Sequence, residues 1–157
     1  MNPLLKGIYR FLKILTRVIL AIFYPDTTII NGERFSFRNP AIVVSNHPNT
    51  LIDAVRTASL VNRQVFFLAN WGLFKTPFQS WFFNTFYCIP IKRPQDVSSG
   101  TVLKNDDAFD RCNQHLGNGG ILYIAPEGTS FIERRLRPIK TGTARIALSA
   151  EDHKDFN

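Results

Sequence analysis

A chain of 157 residues has room for one domain with a real core and too little for several. Its net charge of +7 and pI near 9.8 favour acidic partners: nucleic acid, anionic lipid head groups or phosphorylated ligands. Two cysteines, Cys88 and Cys112, lack metal or redox spacing; they exclude a disulfide framework and read as idle thiols of a reducing compartment.

Residues 4–24 are dominated by Leu, Ile, Phe, Tyr and Val, with Lys6, Arg10, Lys13 and Arg17 at helical spacing. On a helix these four form one basic stripe and the rest of the circumference is apolar. The longest uncharged run, Val18 to Pro25, falls far short of the ~20 residues that span a bilayer. Charges spread through the segment, with no small-residue cleavage site after it, argue against a secretory signal. The expectation is an amphipathic helix over residues 1–25 lying in the membrane interface, basic face towards the head groups. The competing reading is a core-packing helix with a solvated basic face.

Residues 26–157 read as an α/β domain. Asn31-Gly32, flanked by Thr27–Ile30 and Glu33–Phe37, predicts a short hairpin. Ala41–Val44 reads as a buried strand, and Thr50 or Leu51 to Leu60 as a helix. Gln64–Leu68 is a second strand. The aromatic stretch 70–86 is partly helical, with Pro77 as a break or first helical position. Tyr87–Ile91 is a third strand, and Ser98 or Ser99 to Leu116 a helix stopped by Gly117 and Gly119-Gly120. Ile121–Ile124 is a fourth strand, and Thr143–Glu151 a last helix. The alternation predicts a largely parallel central sheet with flanking helices. The chain stops at residue 157 with no closing strand, which predicts a longer parent sequence, while Met1 reads as a native start.

Three segments carry chemistry, and each follows an apolar strand, where sites gather in parallel sheets. The first holds Asn46-His47 and, six positions on from the histidine, Asp53. A histidine oriented by a carboxylate can take a proton from an alcohol near neutral pH. Taken alone, His47 is equally a strand-end histidine, and Asp53 fits a Thr50-x-x-Asp53 capping box. One continuous helix would hold the two apart; Pro48 and Asn49 supply the turn that contact requires. The second segment ends in Lys92-Arg93, a phosphate-binding pair or a solvated one. The third is Pro126-Glu127-Gly128-Thr129-Ser130, followed by the basic cluster Arg134, Arg135, Arg137 and Lys140. Gly128 allows close backbone approach, and Thr129 and Ser130 offer hydroxyls and amides.

Rival chemistries lack their signatures. There is no nucleophile elbow, P-loop or dinucleotide fingerprint. His115 and His153 have no ligand spacing with His47, so no metal site is expected. No nucleic-acid module is recognisable, and the aromatic segment is too apolar for base stacking.

The ordered motifs resemble the glycerolipid acyltransferase family, which includes glycerol-3-phosphate and 1-acylglycerol-3-phosphate acyltransferases. Asn46-His47 with Asp53 matches its first block, Ile91-Lys92-Arg93 its second, and Pro126-Glu127-Gly128-Thr129 its third; the resemblance runs from about Ala41 onward. It implies direct transfer of a fatty acyl group from a thioester, acyl-CoA or acyl-ACP, to a hydroxyl of glycerol 3-phosphate or a lysophospholipid, with no bound cofactor. His47 would be the base and Asp53 its orienting carboxylate. Arg93 would hold the acceptor phosphate, and Asn46, Lys92, Glu127, Gly128 and Thr129 would complete the substrate site. Membrane lipids would be the partners, at the cytoplasmic face of the inner or plasma membrane.

Three departures stand out. Five residues separate His47 from Asp53 where the common block has four, a form that resembles the glycerol-3-phosphate and dual-substrate branch. Ser130 stands where Arg usually follows the Thr. A fourth block, an apolar strand with proline, is missing. Two alternatives are acylation of another lysolipid such as a lyso-aminolipid, and a catalytically silent module that binds anionic lipid.

Overall fold

The computed structural model describes residues 3–49, 51–93, 96, 105–130, 132 and 135–152. Helix α1 spans Pro3–Phe23; Pro3 suits a first turn, and Pro25 blocks continuation. Strand β1 (Ala41–Val44) leads to α2 (Ile52–Leu60), and β2 (Val65–Asn70) follows. A 3-10 turn over Trp71–Phe74 precedes α3 (Pro77–Thr85) and β3 (Cys88–Ile91). Helix α4 (Asp106–Gly117), β4 (Ile121–Ile124) and α5 (Gly142–Asp152) complete the described elements. The region expected to start α4, from Ser98 or Ser99, lies partly outside the described residues.

The four strands form one sheet in the order β1-β4-β2-β3, and every pairing is parallel. All four carboxyl ends therefore lie along one edge. Alternation along β4 shows how the core is divided. Leu122 and Ile124 join Ile89, Cys112, Leu116 and Ile146 on the α4–α5 face. Ile121 and Tyr123 join Val61 and Val65, with Ala54, Ala58 and Phe67 packed against them, on the α2 face. The period of two distributes one short apolar run between two layers. Each fully buried Ile or Leu contributes about 1.5–3 kcal/mol.

Local signals set the boundaries. Thr76 and Gln79 form a capping box with Pro77 at the start of α3. Just past the end of helix α4, Gly119 has a φ of +78 that suits glycine, and the amides of Gly119 and Gly120 close back onto Leu116 and His115. The expected hairpin does not form. Asn31 takes the left-handed conformation that its pairing with Gly32 suggested, but Gly32–Phe35 is a single 3-10 turn. Phe35 and Phe37 pack under the α2 face, and the backbone bonds with Asn62 instead of with a partner strand. Packing outweighs the turn signal here.

The basic stripe of α1 also departs from expectation. Lys13 Nζ donates to the Val61 carbonyl, and Arg17 donates twice to the Ser59 carbonyl at 2.8 and 2.6 Å. The Tyr9 hydroxyl accepts the Val65 amide at 3.1 Å. Carbonyls at and just after the end of a helix lack intrahelical partners, and cations are favoured there. Two of the four basic residues thus dock α1 onto the end of α2 and do not reach outward to head groups. Lys6 and Arg10 remain exposed. Phe11 and Ile22, on the roughly opposite face, are 65 and 69% exposed. Among the described residues, no helix is long and apolar enough to cross a membrane.

Candidate active site

Because the sheet is parallel, the loops after β1, β4, β2 and β3 follow one another along its carboxyl edge. They carry His47, Glu127, Trp71 and Arg93 in that order. Strand spacing of ~4.8 Å puts the edge strands β1 and β3 about 14 Å apart, so the β4 and β2 loops form the floor between them.

His47 Nδ1 lies 3.3 Å from Asp53 Oδ2. The atoms are within ion-pair distance but misaligned for a hydrogen bond, and Nδ1 is enclosed with no hydrogen-bond partner. Asp53 is held in place from the other side, since its Oδ2 accepts the Asn49 amide at 2.7 Å. The Asn49 side chain in turn accepts the Leu51 and Ile52 amides through long contacts of 3.4 and 3.3 Å. Asn49 therefore caps α2, one position earlier than the expected Thr50-x-x-Asp53 box; Thr50 lies outside the described residues. The Asx turn accommodates the long His–Asp spacing while bringing the carboxylate back to the imidazole.

Beneath this pair, the Tyr123 hydroxyl and Ser45 Oγ are 2.9 Å apart, and Ser45 Oγ also donates to the Asn46 carbonyl. Burial foremost, with the Asp53 charge adding, raises the Tyr123 pKa against the opposing Ser45 bond. The neutral phenol ties β4 to Ser45, two residues before His47. The sequence offered only a weak signal for it, a lone tyrosine in an apolar strand.

The third block folds as a tight turn. Gly128 has φ of +74 and its amide donates to the Ala125 carbonyl, while the Lys140 amide donates to the Pro126 carbonyl. A Cβ at Gly128 would meet Lys140 Nζ at 2.8 Å. Glycine here thus serves both the backbone conformation and the passage of a lysine chain over the turn. Glu127 is only 8% exposed.

The second block is fixed at two points. Asn105, at the start of α4, accepts the Lys92 amide and donates to the Lys92 carbonyl, at 3.0 and 2.9 Å. The Lys92 ammonium lies over the Trp71 ring, 5.3 Å from its centroid. Arg93 grips Asp96 from the side: Nε donates to Oδ2 and one Nη to Oδ1, both at 2.8 Å, and the Arg93 amide adds a third bond. That pairing raises the Arg93 pKa, and the Asp96 carboxyl is held below its ordinary value first by Arg93, with a further contribution from Lys140. Lys140, which passes over Gly128, is thus near enough for its charge to act on Asp96. Asp96 was not singled out from sequence, although a carboxylate three positions from an arginine is a pairing signal. Arg134, from the expected basic cluster, lies outside the described residues. So the structure joins His47 to Asp53 and Arg93 to Asp96, and Lys140 lies over the Gly128 turn; Asn46 adjoins the first pair and Thr129 the turn by position.

Among the described residues, no group of three or more His, Cys, Asp or Glu could hold a metal ion. A shallow cleft of about 460 Å³, lined by Phe23, Tyr24, Asp26 and Arg56 among others, contains none of these residues.

A parallel α/β sheet that gathers a histidine–carboxylate pair, a basic pair and a Pro-Glu-Gly turn along its carboxyl edge points to an acyl-transfer scaffold. The chain belongs to the Acyltransferase family, whose model matches residues 26–155. Its similarities lie with glycerolipid and lysophospholipid acyltransferases of the PlsC type. The 1-acyl-sn-glycerol-3-phosphate acyltransferase BAT2, chloroplastic, of Brassica napus is 30% identical over 108 residues, covering 69% of this chain and 29% of that protein. The N-acylphosphatidylethanolamine synthase of Arabidopsis thaliana is 34% identical over 116 residues, covering 68% of this chain and 38% of that protein. The solved structure of the 1-acyl-sn-glycerophosphate (LPA) acyltransferase PlsC from Thermotoga maritima matches 93% of this chain and 55% of its own, with a TM-score of 0.67 at 19% identity. That last likeness establishes the fold. The chain spans less than a third of the Brassica relative's length.

Proposed function

We propose that this chain carries the acyl-transfer site of a membrane-associated O-acyltransferase, which moves a fatty acyl group from a thioester to a hydroxyl of glycerol 3-phosphate or a lysophospholipid. The observation that carries the reading is the His47–Asp53 pair, with the carboxylate fixed by Asn49, on the edge shared with the Arg93 and Gly128 loops.

In this mechanism His47 Nε2 takes the proton from the acceptor hydroxyl as its oxygen attacks the thioester carbonyl. Asp53 stabilises the imidazolium through Nδ1. Collapse of the tetrahedral intermediate expels the thiolate, which regains the proton from His47, so an ester and a free thiol result with no acyl-enzyme. Arg93 receives the acceptor phosphate, with Lys92 and Lys140 adding charge along the same edge. Asn46, Glu127, Gly128 and Thr129 shape the pocket between the two edge strands. Glu127 is itself anionic and suits hydroxyls or cationic side chains better than phosphate.

The outward apolar face of α1 seats the domain on the bilayer, at the cytoplasmic face where acyl-CoA or acyl-ACP is available. The apolar face meets the lipid, while Lys13 and Arg17 of the basic stripe hold the helix to the domain instead of facing head groups. A second acceptor class, an aminophospholipid or lyso-aminolipid, is supported by the similarity to the N-acylphosphatidylethanolamine synthase. An acceptor screen with both donor types and mass-spectrometric identification of products tests the proposal. A new ester on a phosphate-bearing acceptor supports the leading reading, an acylated amine supports the second, and lipid binding without any product leaves a silent lipid-binding module.

A further inference from the structure

The side-on grip of Asp96 on Arg93 has a geometric consequence. A guanidinium has five N–H groups in a fixed planar fork. Asp96 takes the edge formed by Nε and one Nη, at 2.8 Å each, and its Oδ2 also binds the Arg93 amide at 2.9 Å. The main chain and side chain of Arg93 are thereby locked to one carboxylate, and among the described residues no bond engages the other edge of the fork, between the two Nη atoms, which can take a second bidentate partner. Lys140, close enough to depress the Asp96 carboxyl further, extends across the Gly128 turn. A lone arginine on a loop would have to give up rotamer freedom when it bound an anion; one already fixed by a bidentate partner gives up much less.

We propose that Asp96 is a positioning residue for the acceptor's anionic group: it fixes the Arg93 fork so that its remaining edge receives a phosphate. This rests on the reading of Arg93 as the phosphate ligand. The opposite role, a carboxylate that occupies the phosphate's place and must be displaced, makes a prediction of opposite sign.

The test measures lysophosphatidate binding in mixed micelles, against monoacylglycerol as the phosphate-free control, together with kcat and KM for the same acceptor. The variants are Asp96→Asn, Asp96→Ala, Asp96→Glu, Arg93→Ala and the Asp96→Ala/Arg93→Ala pair. The expected result is an acceptor Kd and KM raised on the order of tenfold in Asp96→Asn and Asp96→Ala. Monoacylglycerol binding and kcat stay within a factor of about three, Asp96→Glu recovers part of the loss, and Asp96→Ala adds nothing once Arg93 is gone. Tighter lysophosphatidate binding in Asp96→Asn would overturn the proposal in favour of a competing carboxylate. An unchanged Kd in Asp96→Asn and Asp96→Ala, or an undiminished Asp96→Ala effect in the Arg93→Ala background, would overturn it outright. If Arg93→Ala alone leaves lysophosphatidate binding unchanged, the phosphate reading of Arg93 fails first, and that outcome is distinct from the others. Because Asp96→Asn keeps the side chain's shape, its unfolding midpoint checks that the fold is intact.

Discussion

Replacing Asp53 by Asn separates its contact with the Asn49 amide from the catalytic role proposed for its charge. Asn retains an oxygen that can accept the Asn49 amide, so the cap of α2 survives, but the charge beside His47 is gone. At 3.3 Å and an effective dielectric of about 20, a carboxylate and an imidazolium attract by about 5 kcal/mol. The two side chains are 14 and 19% exposed, and solvent screening halves this to roughly 2.5–3 kcal/mol. Because the imidazolium exists only once the proton has moved, the loss falls on the transition state, and kcat drops on the order of 100-fold. KM stays within a factor of about two, and the unfolding midpoint within ~2 °C. Asp53→Ala adds the loss of the amide bond, about 1 kcal/mol, which lowers the midpoint by roughly 2–4 °C. The assay is steady-state release of free thiol from an acyl thioester, with the acceptor varied. If Asp53→Asn keeps kcat within about threefold of the parent, the orienting and stabilising role is wrong.

Two further predictions concern the scaffold. Changing Phe11, Val18 and Ile22 together to Ser should cut partition onto liposomes at least tenfold while the domain stays folded, since none of these side chains is buried; unchanged sedimentation with liposomes would remove α1 as the membrane contact. His115 stacks on Phe66 with ring centroids 3.7 Å apart, and burial first, then the Arg63 charge, holds its pKa below 6.5 against a bond to the Ile121 carbonyl. The unfolded chain takes up a proton at this position that the folded chain refuses, so stability is full above about pH 6.5 and declines as the pH falls below it. Urea midpoints from pH 8 to 5 should show that decline, and His115→Gln should flatten part of it.

Much of the frame was readable because it rests on local signals. Ile121–Ile124 appears at its expected bounds, and Pro77 and the Gly119 stop act through their fixed or permissive backbones. The placement of His47, Arg93 and Glu127 after strands followed from the α/β alternation, and the all-parallel pairing puts them on one edge. What escaped depends on tertiary choice. The Asn31-Gly32 turn formed without its strands because Phe35 and Phe37 were more valuable under α2. Lys13 and Arg17 looked like head-group ligands because a helical wheel cannot show that unpaired carbonyls of Ser59 and Val61 lie beside them. The path of Lys140 over Gly128 is a side-chain decision between segments that no periodicity encodes, and the Asp96 grip on Arg93 showed in the sequence only as a three-residue spacing.

Acyl transfer by the His47→Ala protein tests the central claim most directly. With an acyl thioester and lysophosphatidate or glycerol 3-phosphate as acceptor, loss of the base should lower kcat by about 10²–10⁴-fold, with acceptor binding retained. Full acyl transfer by His47→Ala would contradict it.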